Sequence, residues 1–80
     1  MKNLEYYLSL NYPMVILEDT EEGGFVVSFP DLKGCLTCGE TVELAVANAK
    51  DAKKEWLIAS LEEKREIPEP SDNYFPAYSH

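Results

Sequence analysis

The chain is poor in the residues from which most catalytic sites are built. Among 80 residues there is a single histidine, one tryptophan, two cysteines and four glycines. The histidine, His80, sits in a proline-rich tail with no positioned nucleophile or acid beside it, which argues against nucleophilic catalysis. The glycines at 23, 24, 34 and 39 are not followed by a lysine and a Ser/Thr at phosphate-loop spacing, so they read as turn residues. No stretch approaches the ~20 apolar residues of a membrane span, and the start MKNLEYYLSL has no signal-peptide core. A cytoplasmic location is expected. Bases are scarce too. Seven Lys and Arg face fifteen Asp and Glu, a net charge of −8. That sign opposes direct contact with DNA or RNA, whose binding proteins displace counterions with basic patches. It suits a basic protein partner, or solubility alone.

Two cysteines can close at most one intramolecular bridge, so this is not a disulfide scaffold. Cys35-x-x-Cys38 invites zinc or redox chemistry. Zinc wants four ligands, and the chain adds only the distant His80. A redox pair wants its first cysteine at a helix N-terminus, and here the pair precedes the helix on a short β-like segment. Small buried thiols are the expected reading. Asp19, Asp31 and Glu40 could in principle supply a magnesium-dependent nuclease. All three fall in turns, where acids are common anyway. No catalytic, cofactor or metal site is therefore expected.

What the chain does hold is one domain's worth of regular structure, since 45% of its residues are apolar. Residues 4–10 read as an amphipathic turn or short helix. Residues 14–18 read as a strand started by Pro13, a place where a missing N–H costs least. A polar loop ending in Gly23-Gly24 leads to the strand FVVSF, 25–29, with Phe25, Val27 and Phe29 on one face. Pro30 stops it. Residues 31–34 turn the chain, and 35–38 form a third strand. Thr41 is the best helix N-cap in the sequence, followed by a helical pattern from Val42 to about Lys64. Val42, Ala45, Ala49, Ala52, Trp56 and Ala59 form one stripe, whose alanines allow close approach to a sheet. Leu44, Ile58 and Leu61 fall on the opposite side and read as an oligomer interface, in keeping with a domain too small to be robust alone. Ile67-Pro68 ends the helix.

The expected fold is α+β: a three-stranded antiparallel meander with one long helix packed on it, β-β-β-α, and a short fourth strand around 73–75 in the tail. The expected layout is a single domain over 1–80. It comprises an N-terminal turn or helix (1–11), a core (12–66) and a Pro/aromatic tail (67–80), with no C-terminal DNA-binding domain.

The string FPDLKGCLTCGET, from Phe29 to Thr41, is the most distinctive part of the chain. Gly23-Gly24-Phe25, then Pro30-Asp31-Leu32-x-Gly34-Cys35, Gly39-x-Thr41, Ala45, Asn48-Ala49, Trp56 and Ile67-Pro68-x-Pro70 together resemble the toxin-binding domain of the HicB antitoxin family. The resemblance covers about residues 4–70. It implies a partial, catalytically degenerate RNase H-like fold. It also implies a partner, the small basic RNA-cleaving toxin HicA, whose RNA surface the antitoxin masks. Leu44 stands where the family usually has an acid. Many family members continue into a ribbon-helix-helix or helix-turn-helix domain. The function expected is thus a non-enzymatic antitoxin. The acids Glu18, Asp19, Glu21 and Glu22 of the first hairpin would steer the toxin. The alternative is an orphan oligomeric scaffold or sensor of the same fold without a toxin.

Overall fold

The computed structural model describes residues 2–71. Its elements are α1 (Leu4–Leu8), β1 (Val15–Glu18), β2 (Phe25–Ser28), β3 (Leu36–Gly39) and α2 (Val42–Glu62). The strands form one antiparallel sheet in the order β1-β2-β3, and α2 lies over β2 and β3. This is the α+β meander with a long helix that the sequence predicts. The fourth strand proposed around 73–75 lies outside the described residues.

Strand alternation sets the two faces of the sheet. Val27 pairs with Ile16 and Thr37, while Val26 pairs with Leu17 and Cys38. Partners across a ladder point the same way, so each row belongs to one face. Val27, fully buried, faces α2. Around it the core gathers Phe29, Leu32, Ala45, Ala49 and Leu57. Burial of such side chains contributes about 1.5–3 kcal/mol each for the larger ones.

The loop after β2 is part of the core. Phe29 N–H donates to the Cys35 carbonyl (3.0 Å), Leu32 N–H to Phe29 (2.9 Å) and Cys35 N–H to Leu32 (2.9 Å). This tight fold of backbone, with Gly34 at φ +82°, drives Leu32 into the interior. The Trp56 indole Nε1 donates to the Lys33 carbonyl at 2.9 Å and fastens the loop to α2. The end of the described chain returns to the same place. Asp31 Oδ2 accepts from the Ser71 amide at 2.7 Å, and Tyr12 donates its hydroxyl to the Pro68 carbonyl at 2.6 Å. Asp31 and Tyr12 thus hold the segment that follows α2 at Ser71 and Pro68.

Thr41 caps α2 as its sequence predicts, its hydroxyl accepting from Leu44 N–H at 3.1 Å. The far end differs from expectation. The helix stops at Glu62, before Ile67-Pro68 can act. Lys64 takes a left-handed backbone (φ 57°), its N–H donates to Leu61 O, and Arg65 N–H donates to Ser60 O. That is a Schellman stop built on lysine, where glycine is the usual signal.

The expected stripe of α2 holds at Ala45, Ala49, Ala52 and Trp56, which are buried or pack against the core, but it shifts toward Leu57 and Ser60 and loses Val42. Ala45, Ala49, Leu57 and Ser60 are buried, while Val42 is 40% exposed. Val42 is the first residue of the helix.

Candidate functional site

The hairpin turn between β1 and β2 is organised by Asp19. Its amide donates to Gly24 O (2.9 Å), its carbonyl accepts from Gly23 N–H (2.8 Å), and its Oδ1 accepts from the amides of Glu21 and Glu22 at 3.1 Å each. A short acceptor side chain that bonds amides two and three residues on is what aspartate supplies in turns. Gly23 and Gly24 complete the reversal at φ +85° and +84°. The turn rests on the end of β3, where a methyl added to Gly24 would lie 2.8 Å from Gly39 O.

The four hairpin acids therefore share one end of the sheet. Glu18, Glu21 and Glu22 are exposed and Asp19 is partly covered. Glu40, the residue that follows β3, joins them. Asp19, Glu22 and Glu40 line an open pocket of about 210 Å³ together with Val26 and Cys38. Of the three acids considered for a nuclease, the structure brings Asp19 and Glu40 together, but Asp31 stands in the β2–β3 loop holding Ser71.

The sheet face turned away from α2 carries Leu17, Val26, Leu36 and Cys38. Leu17 is 63% and Leu36 61% exposed, and no described element covers them. Sequence reasoning found the inward stripe of β2 and passed over this outward one. The signal was present: Leu17, Val26 and Leu36 put at least one large apolar residue outward on each strand, with Ser28 the polar exception, where a solvated face would be mostly polar.

The cysteines part company. Both are free, but Cys35 is buried and Cys38 exposed. The expectation of two buried thiols is corrected for Cys38, because it lies on a true strand position paired with Val26 while Cys35 belongs to the inward loop. Burial pushes the Cys35 thiol up, against a smaller opposing pull from Lys53. That is the reverse of the lowered value a reactive thiolate needs. Among the described residues no cluster of three His, Cys, Asp or Glu is placed to hold a metal ion.

The helix positions read as an oligomer interface are spread out. Leu44 is 53% exposed at the start of α2, Ile58 is half-buried, and Leu61 packs against the core. Leu44 and Ile58 stand roughly 20 Å apart along the axis at 1.5 Å per residue. The remaining motif residues have structural posts. Gly39 and Ala45 touch, Asn48 Nδ2 donates to the Cys38 carbonyl at 2.9 Å, and Ala49 is on the buried side of α2. No helix among the described residues is long and apolar enough to cross a membrane.

Comparison with known proteins places this architecture. Residues 12–74 match the family described as HicB_like antitoxin of bacterial toxin-antitoxin system. The chain is 44% identical over 62 residues to Antitoxin HicB 1 of Photorhabdus laumondii, covering 78% of this chain and 39% of that protein. It is 42% identical over 71 residues to Antitoxin HicB of Escherichia coli K12, covering 89% and 48%. It is 39% identical over 59 residues to UPF0150 protein ssl0259 of Synechocystis, covering 74% and 80%. The chain thus spans less than half the length of those two antitoxins and most of the shorter relative. The match takes in both hairpin strands, the buried loop and all of α2, and by it the chain belongs to the HicB-like antitoxin family.

Proposed function

We propose that this chain is a non-enzymatic antitoxin that binds a small basic HicA-like ribonuclease in the cytoplasm and masks its RNA surface. The observation that carries the reading is the distribution of charge. Residues 15–28 and 36–40, which make up the sheet and its acidic end, hold the five acids Glu18, Asp19, Glu21, Glu22 and Glu40 and no Lys or Arg. The bases lie on α2, beside it, at the N-terminus and in the β2–β3 loop. A one-signed field on one side attracts a surface built for phosphate and repels nucleic acid itself. Family membership supports the same role, and relatives at 42–44% identity are named Antitoxin HicB.

Co-expression tests it. Each HicA-like toxin of the host genome is induced with and without this chain. Restored growth and intact RNA with at least one of them is expected. Unchanged arrest and cleavage with all of them would leave the orphan scaffold. Self-association through the face of Leu44 and Ile58 belongs to the same proposal, supported by the exposure of Leu44. Sedimentation is expected to show a dimer or larger species that Ile58→Glu weakens.

A further inference from the structure

The outward sheet face calls for an occupant. Three strands of four residues span roughly 10 by 13 Å at standard strand spacings. A stable interface takes about 800 Å² from each partner. The apolar face is therefore large enough for the centre of an interface and too small for the whole. What surrounds it at one end is charged. The pocket of Asp19, Glu22 and Glu40 opens beside Val26 and Cys38, so the apolar patch runs directly into an acidic recess.

We propose that this face, Leu17, Val26, Leu36 and Cys38, is where the basic partner docks, with a lysine or arginine of that partner entering the acidic recess. The inference rests on the antitoxin reading and adds to it the surface and its anchor. A long basic side chain suits both parts of the recess. Its methylenes lie along Val26 and Cys38 while its charged end meets the carboxylates. An apolar centre with a polar rim is the usual anatomy of an interface, and a buried long side chain near that centre is a frequent energetic anchor. Charge complementarity selects the partner. A second copy would bring the same five acids and no base from its own sheet side, whereas a basic protein brings the opposite sign.

Cys38 makes the face observable. It is exposed on the edge strand β3, paired with Val26 and lining the acidic recess, while Cys35 is buried. A thiol reagent such as dithionitrobenzoate is applied to the free chain and to its complex with a co-expressed HicA-like toxin of the host. In parallel, Leu17→Glu/Leu36→Glu and Ile58→Glu chains are tested for toxin capture, with circular dichroism as the check on folding. The expected result has three parts. Cys38 reacts promptly in the free chain and about tenfold or more slowly in the complex. The sheet double variant stays folded and binds at least about tenfold more weakly, a loss of about 1.4 kcal/mol or more. Ile58→Glu still captures the toxin. If the toxin binds but Cys38 stays as reactive and the double variant binds as well, the docking face is wrong and the antitoxin reading stands. If Cys38 is protected in the chain alone and more so at higher concentration, the face joins two copies and the proposal is overturned. If no HicA-like toxin is captured by the unaltered chain, the antitoxin reading fails and takes this inference with it.

Discussion

Gly39, the last residue of β3, lies against the backbone of Ala45 near the start of α2. A methyl placed on Gly39 would come within 2.5 Å of the Ala45 amide nitrogen and 2.7 Å of its Cα. That amide makes the first turn's bond to Thr41 O at 2.8 Å. Sheet and helix are thus in contact through backbone at the point where one passes into the other.

Gly39→Ala is expected to lower stability by about 1–3 kcal/mol, the cost of overpacking a site that cannot yield. Each kcal/mol should lower the melting temperature by about 4–8 °C in a domain of this size. Because the obstruction is backbone, adding Ala45→Gly should not restore it. An unchanged melting temperature for Gly39→Ala would contradict the contact.

The sequence carried the order and kind of the elements because each had its own local signal. Pro13 and Pro30 bracket the first two strands, Gly23-Gly24 reverses the chain, and Thr41 caps the helix. What it hid were features decided by neighbours. The helix stop at Lys64 lacks the glycine that would announce it, and depends on Leu61 and Ser60 carbonyls taking bonds from the next turn. Cys38 reads as a twin of Cys35 until the ladder with Val26 shows them on different sides. Leu61 reads as outward by helical period, yet it packs on the core because the chain around Tyr7 and Ile67 folds back there. The acidic end of the candidate site was half legible. Four of its acids fall within the five residues 18–22 of the hairpin, but Glu40 joins them only because β3 brings it alongside.

Lys64 offers a test in the opposite direction. A left-handed backbone costs a side-chain-bearing residue roughly 1–2 kcal/mol that glycine does not incur. Lys64→Gly is expected to raise stability by up to about 1 kcal/mol, offset in part by the greater freedom of glycine in the unfolded chain. Lys64→Val, branched at Cβ, should lower it. Urea denaturation of the three proteins checks the ranking.

Tyr12 makes stability depend on pH at the alkaline end. Burial, reinforced by the negative charge of Glu69, raises its phenol from 10.0 to about 12. In the unfolded chain the phenol ionises near pH 10, while in the fold it stays protonated and keeps its bond to Pro68 O. The unfolded state then holds fewer protons than the native one, so stability must fall as pH rises through this window. The contribution is whole below pH 10 and lost by about pH 12. Tyr12→Phe should remove this part of the decline while costing about 1 kcal/mol at neutral pH from the lost bond. Denaturation midpoints measured at pH 8 to 11 compare the two.

The hairpin acids should govern speed of association. Changing Glu18, Glu21 and Glu22 to Gln and Asp19 to Asn keeps an acceptor oxygen at 19 for the turn while removing the charge. The variant should fold normally and associate with a basic toxin more slowly, by about tenfold or more at low salt. The difference should shrink as salt screens charges beyond about 8 Å at 0.15 M. Dissociation should change less, since it depends on close contacts. Stopped-flow mixing at two ionic strengths measures both rates.

The most direct test of the account is cleavage of RNA by a purified HicA-like toxin from the same genome, titrated with this chain. Masking of a basic ribonuclease predicts that cleavage falls in proportion to the added chain and ends near one antitoxin chain per toxin. It also predicts that the Leu17→Glu/Leu36→Glu protein, though folded, fails to protect at the same ratio. Cleavage that continues undiminished at a large molar excess of the chain, for every such toxin, would contradict it.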